Sequence, residues 1–505
     1  MKRIALAALL LAAACGTTVP ITTTTSVGGA QPGGTTGGGL DGSTGSTTGV
    51  ASSTGTTPGT TSGTSGAIGG SSTGTSQGGS TTGSGSSTTG ATSSTGALPP
   101  TPGGSRVKTP LKVGILTVDL GAAITALGGS SESSKGPSDG YRALIRAINL
   151  TGGLSGRRVD ATYFTIDATA TSYQDKATQG CTTFQEAKVE VVVTDAASTD
   201  YGLAACLAKK GIGLISSVST SNPGFAGAPY LFNAYNPSYD RGYGAVVDQL
   251  VSTGYVTTKS KIGFIRIDCA AVTSAYKSTV LPRMRAAHLA APFEYTVSCA
   301  QGFQDAGAYS AAMQNAVLKF RSSGVDRVFV MGSQENLLLQ YFAEQAQNQA
   351  YHPGYALSSG STPYILIGAQ TFPQGQLPQV HGVGWHSTGD AGIDNNLPAE
   401  RSCKALAAKG GFQASNITED YAIYGYCSNV LLLAEAVKNG NGLATGAALS
   451  GVIPRLGSSF TSTGIPTGAT QYGPNRHDGV QMAQPWGYVA ACTCFRYSGP
   501  PRVMR

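Results

Sequence analysis

Between Gly16 and Ser105 the chain offers almost nothing that could be buried: ninety residues dominated by Gly, Ser and Thr, with one charge, Asp41, and no Lys or Arg. Too little apolar surface is present to offset the entropy of ordering such a stretch, so residues 16–105 are expected to be a disordered linker. A coil of this length has a root-mean-square reach of roughly 50 Å and a maximum of about 300 Å. Everything that can fold must lie beyond it.

The residues before the linker specify an address. Met1-Lys2-Arg3 is basic, Ile4 to Leu11 is apolar, and Ala12-Ala13-Ala14 leads into Cys15. A positive start, a short apolar run and small residues before a cleavage point are the order of a secretory signal, and the run is too short to span a bilayer as a helix. The small-residue run into Cys15 resembles a bacterial lipoprotein signal, which implies lipidation of the Cys15 thiol and cleavage just before it. Residues 1–15 are thus expected to leave or be lipidated, and the linker to tether the rest to the outer face of the cell membrane.

At Arg106 the composition changes. Residues 106–505 are enough for two lobes of ordinary domain size. The formal net charge of +7 includes Lys2 and Arg3, and the remaining charge is spread along the chain, which argues against nucleic-acid binding. Eight further cysteines at wide spacings in an exported chain point to disulfides rather than metal ligation. Neighbourhood in sequence suggests Cys181 with Cys206, Cys269 with Cys299, Cys403 with Cys427, and Cys492 with Cys494. The last would close a small ring, for which redox activity is the sharper reading and structural pairing the plainer one.

Periodicity alternates strand and helix. Leu111–Val118 reads as a strand, and Ser138–Leu150 as a helix with Tyr141, Leu144, Ile145 and Ile148 on one face, ended by Gly152-Gly153. A strand over 160–166, a helix from Ser172 to about Ala187, a strand over 189–194, a helix over 199–210 and a strand over 212–216 follow. The pattern restarts after Asp240: strands at 262–267, 293–297, 325–330 and 364–367, with helices at 274–290, 308–323 and 336–348. Strands separated by helices imply open, mostly parallel sheets flanked by helices, with ligands at the carboxyl ends of the strands and in a cleft between two such halves.

Four segments carry a resemblance: Leu111-Lys-Val-Gly-Ile-Leu; Asp139-Gly-Tyr-Arg-Ala-Leu-Ile-Arg-Ala-Ile-Asn before Gly152-Gly153; Val193-Thr-Asp-Ala-Ala-Ser-Thr199; and Leu214-Ile-Ser-Ser-Val-Ser-Thr-Ser-Asn-Pro223. In order and spacing, together with Arg476-His-Asp-Gly479 before a final strand, they resemble the type I periplasmic binding proteins, and most nearly the Leu/Ile/Val-binding branch of ABC-transporter receptors. The resemblance implies an α/β fold of two lobes, lobe one about 106–235 and 384–452 and lobe two about 236–383 and 453–505. The crossings would lie near 233–240, 380–386 and 452–456. It implies no cofactor and no metal.

In that family a ligand carboxylate is held by the loops after the third and fourth strands, here Ser198 and Thr199, and Ser219, Thr220 and Ser221. Hydroxyls at helix starts, where unpaired amides and the helix dipole attract anions, suit that role, although Ser and Thr there are often only caps. Lobe two would contribute Gln334 and Glu335, and Gln370 falls near the family's acidic ammonium partner. A neutral amide pairs weakly with an ammonium ion, so Glu335 or Asp240 would substitute, or the ligand is not an α-amino acid. Tyr235 and Asn236 fall at the first crossing, where Tyr235 also suits a core or hinge role.

The expected function is a monomeric, membrane-tethered receptor that closes on a small polar ligand, an amino acid or related amide, and delivers it to an ABC-transporter permease. A sensor without transport is the alternative. A secreted hydrolase using His477-Asp478 is a lesser one, since no nucleophile motif accompanies that pair.

Overall fold

Strand β1 (Leu111–Asp119) shows how the first half is built, because its alternate residues feed two different cores. In the computed structural model, which describes residues 107–119, 136–196, 200–332, 335–359, 372–387, 397–415 and 417–505, Val113 and Ile115 face α1 (Pro137–Leu150). Leu116 turns the other way, toward α2 (Tyr173–Glu186). A strand buried on both faces is the expected outcome when helices cover a parallel sheet on both sides. The helical face read from sequence is the one used: Tyr141, Leu144, Ile145 and Ile148 are all buried. Gly114 is needed where it stands, since a Cβ there would come within 2.8 Å of the Phe184 ring.

The first sheet runs β2-β1-β3-β4-β5, all parallel, with β2 (Val159–Asp167), β3 (Val191–Thr194), β4 (Gly213–Ser216) and β5 (Leu231–Asn233). Two short helices, α3 (Leu203–Lys209) and α4 (Asn222–Gly227), connect its last strands. The second sheet runs β12-β11-β10-β9-β8-β6-β7. Its parallel part comprises β6 (Ile262–Ile267), β7 (Phe293–Val297), β8 (Arg327–Met331), β9 (Gly354–Ser358) and β10 (Val380–Gly384). Three antiparallel strands, β11 (Met482–Val489), β12 (Cys494–Tyr497) and β13 (Arg502–Val503), extend it from the far end of the sequence. The fold class is therefore the expected one: two open, mostly parallel sheets flanked by helices.

Helix α5 (Tyr239–Ser252) leads into the second half, which also holds α8 (Ala306–Ser322) and α9 (Glu335–Asn348). The helix expected over 274–290 is instead α6 (Ala270–Ala275), a π-turn over Tyr276–Val280 and α7 (Leu281–Ala286). Pro282 accounts for the irregularity, because it has no N–H to return to the preceding turn. The strand expected over 364–367 lies outside the described residues. Among the described residues, no helix is long and apolar enough to cross a membrane.

The chain returns to the first half through α10 (Pro398–Lys409), α11 (Ile417–Asn439) and α12 (Gly446–Leu456). α10 lies so close to α1 that a Cβ at Gly410 would meet the Ala143 carbonyl at 1.8 Å. α12 buries Leu449, Val452, Ile453 and Leu456 and packs on β4, where Leu449 fills the space beside Gly213. The third passage between sheets therefore lies within 457–481, later than the 452–456 expected. The four disulfides pair as the spacing suggested: Cys181–Cys206, Cys269–Cys299, Cys403–Cys427 and Cys492–Cys494.

At the amino ends of the first sheet, the buried Arg157 guanidinium gathers three other parts of the chain. It donates to the Thr109 carbonyl (2.8 Å), the Pro110 carbonyl (2.9 Å), the Gly442 carbonyl and the Glu190 carboxylate. Loss of that arginine leaves a carboxylate and three carbonyls in a poorly solvated place. Arg157→Ala should therefore lower unfolding free energy by about 3 kcal/mol or more, read from urea denaturation with an unchanged m-value.

Candidate functional site

The carboxyl ends of the first sheet and the three passages between sheets meet in one polar cluster. Asn233, last residue of β5, uses its side-chain oxygen to accept from the amides of Tyr235 (2.9 Å) and Asn236 (2.7 Å), and its side-chain nitrogen donates to Val218 O (2.7 Å). Its amide donates to His477 O (2.9 Å), and Gly479 N donates back to Asn233 O (3.2 Å), which locks the first passage to the third. Trp385 Nε1 donates to Asn236 Oδ1 (2.9 Å), and His386 Nε2 donates to Tyr235 O (3.1 Å), joining the first passage to the second. Ser387 N donates to Gly464 O (2.8 Å), closing the triangle.

His386 stacks on Tyr235 with ring centroids 4.1 Å apart. Burial pushes the imidazole well below its ordinary range, to about 3, so it is neutral near neutral pH. Tyr235 thus joins the first and second passages, and Asn236 spends its amide on Trp385 and on the Ser217 carbonyl.

The other candidates divide sharply. Ser221 is the N-cap of α4, its side chain accepting from Gly224 N (3.2 Å), and it is buried; the plain cap reading describes what it does. Ser219 Oγ donates to the Pro237 carbonyl. Thr220 is wholly buried against Gly224, its backbone carbonyl accepting from Tyr239 N (2.8 Å), while its hydroxyl finds no partner among the described residues. Ser198, Thr199, Gln334 and Gln370, like Cys15, lie outside the described residues. Glu335 opens α9, and its side chain lies outside them too.

Asp240 is not available as an ammonium partner. Its buried carboxylate accepts from Asn222 N (2.7 Å), Ser278 Oγ (2.8 Å) and Thr279 Oγ1 (3.1 Å), so it fastens the start of α4 to the π-turn of the second half. His477 and Asp478 are spent likewise. The imidazole stacks on Phe232 at 4.7 Å and donates through Nδ1 to Leu231 O (2.8 Å), while Asp478 accepts from Ser238 N (2.6 Å) and pairs with Arg241.

Away from this hinge the two halves touch again. Tyr173 N, at the start of α2, donates to Gln301 O (2.8 Å); Tyr201 Oη donates to Ala300 O (3.0 Å); and Gln304 Nε2 donates to Thr171 O (3.2 Å). The rings of Tyr173 and Tyr201 lie 5.3 Å apart, and burial raises both hydroxyls, that of Tyr173 to about 12. Cys181–Cys206 ties together α2 and α3, beside these tyrosines, and Cys269–Cys299 anchors the segment that receives them. No motif marked these residues, because carbonyl acceptors carry no side-chain signature.

Asp195 lies within the Val193-Thr-Asp-Ala-Ala-Ser-Thr199 segment, where nothing in the sequence marks it with a role. It stands just after β3, buried near Tyr141 and Tyr426; neither carboxyl oxygen completes a full hydrogen bond, although the Tyr426 hydroxyl acts to lower its pKa. Desolvation dominates and lifts the carboxyl to about 7. The folded protein therefore keeps a proton that the unfolded chain releases above about pH 4, and stability falls as pH rises from 4 to 7. Asp195→Asn should remove that cost, so its melting temperature relative to the parent should climb across this window. An equal difference at pH 4 and pH 8 would contradict the assignment.

No protein-family model matches the sequence, and no curated protein matches it. Solved structures do match. A solute-binding protein of an ABC transporter from Rhodopseudomonas palustris HaA2, in complex with p-hydroxybenzoic acid, is 10% identical with a TM-score of 0.56, covering 79% of this chain and 98% of that one. A fatty acid ABC-transporter substrate-binding protein from Thermomonospora curvata is 14% identical with a TM-score of 0.55, covering 79% and 94%. A possible leucine/isoleucine/valine-binding protein from Rhodopirellula baltica SH 1 is 14% identical with a TM-score of 0.52, covering 78% and 97%. Two parallel-dominated α/β sheets joined by three passages, on a backbone that follows these proteins, give the chain the fold of the type I periplasmic binding proteins.

Proposed function

We propose that this chain is an extracytoplasmic solute-binding receptor, tethered to the outer face of the cell membrane through lipid on Cys15, that closes on a small acid and presents it to an ABC-transporter permease. The observation that carries the reading is the pair of connections just described: a hinge where three passages are hydrogen-bonded together, and a separate set of contacts where the two halves meet. Segments that meet at one end and are hinged at another can part and rejoin, and a ligand that touches both halves favours the joined form.

The solutes named for the structural neighbours, hydroxybenzoic acids, a fatty acid and leucine, share a carboxylate. That carboxylate is the common element, and the loop after β3 is its seat in the first half, since Ser219 and Ser221 after β4 are committed to Pro237 and Gly224. An amino acid or its amide fits if Glu335 meets the ammonium, since Asp240 is committed to Asn222, Ser278 and Thr279. The long linker would let the receptor range away from the bilayer, a feature that serves uptake and sensing equally.

A thermal-shift screen of amino acids, amides, hydroxybenzoates and short fatty acids should give saturable stabilisation by one class. Absence of any shift across all four, with the protein folded, would count against the reading. Tyr201→Phe removes a hydrogen bond made only when the halves meet, worth about 1 kcal/mol, and should weaken affinity about fivefold in calorimetry. Unchanged affinity would show that the contact is not linked to binding.

A further inference from the structure

The Cys492–Cys494 bridge differs from the other three in its surroundings. It closes the turn between β11 and β12, where Val489 pairs with Cys494. Cys494 is buried, but Cys492 is exposed, whereas both residues of Cys403–Cys427 are buried and the more open members of the other two pairs, Cys206 and Cys299, are half-buried. Thr493, between the two, sits at φ 48°, a conformation a β-branched residue rarely adopts. Thr493 is the one residue that the bridge encloses.

The second distinguishing feature is chemical. Arg496, two residues on, directs its Nε–H at both sulfurs, 3.5 Å from Cys492 and 3.3 Å from Cys494. A disulfide is a weak acceptor, but a thiolate beside a guanidinium is strongly favoured. The charge is thus already placed where reduction would create a negative sulfur.

We propose that Cys492–Cys494 is a redox-exchange site that reacts with small monothiols while the other three bridges stay closed. An external thiolate attacks the exposed Cys492 sulfur; the Cys492–Cys494 bond breaks, a mixed disulfide forms on Cys492, and the electron pair leaves on Cys494 as a thiolate beside Arg496. A second thiol attacks the external sulfur of the mixed disulfide, forming its own disulfide and releasing Cys492, and both protein sulfurs end as thiols or thiolates. Two external thiols are oxidised and one protein disulfide is reduced.

The test equilibrates the full chain in graded reduced and oxidised glutathione, quenches with acid, alkylates, and quantifies each cysteine peptide by mass spectrometry. Cys492–Cys494 should reach half reduction at a thiol-to-disulfide ratio at least tenfold less reducing than any other bridge. Arg496→Gln should slow its reduction severalfold, and Arg496→Lys should restore part of the rate. The double variant Cys492→Ser/Cys494→Ser should lose the early step alone and keep the other three bridges and the thermal transition. Reduction of this bridge together with or after the others would overturn the proposal, and an unchanged rate in Arg496→Gln would remove the arginine from it.

Discussion

Two buried carboxylates at the start of α5 hold the passages between the two sheets in register. Asp478 accepts the Ser238 amide and the Arg241 guanidinium, binding the third passage to the first. Asp240, two residues on from Ser238, accepts the Asn222 amide at the start of α4 and two hydroxyls of the π-turn. Both are placed among donors at a helix amino terminus, where a negative charge is favoured. Removal of either acceptor would strand several buried donors at once, so the junction of the passages depends on both carboxylates.

The contacts away from the hinge are of another kind. Tyr173, Tyr201 and Gln304 reach only backbone carbonyls, and each such bond contributes about 1 kcal/mol net. A few weak bonds can be exchanged for water at little cost, so these contacts hold the halves far less firmly than the buried carboxylates do. The disulfides beside them act on a different quantity. Cys181–Cys206 and Cys269–Cys299 limit the conformational freedom of α2, α3 and the segment ending at Ala300, which present these contacts.

Much of this was legible before any coordinates. The apolar face of α1 and the alternation that makes β1 a doubly covered strand follow from residue spacing, and the disulfide pairs followed from proximity along the chain. The site was less legible. A serine before a helix reads the same whether it caps or binds, and the structure gives Ser221 the cap and Ser219 a backbone carbonyl. Asp195 escaped notice because its distinction is burial beside two tyrosines supplied by helices far away in sequence.

What the sequence by itself determined is whatever depends on near neighbours: the near absence of charged and large apolar residues in 16–105, the periods of strand and helix, the fold class they imply, and pairs of cysteines close enough to find each other. Tertiary structure alone decided the destination of α12, whose apolar face chose β4 and so moved the third passage to 457–481. It also decided that Asp240, Asp478 and His477 are structural, since their partners lie across the hinge. Local preferences act over a few residues and can be read as a pattern, whereas burial and long-range hydrogen bonding exist only once distant segments have met.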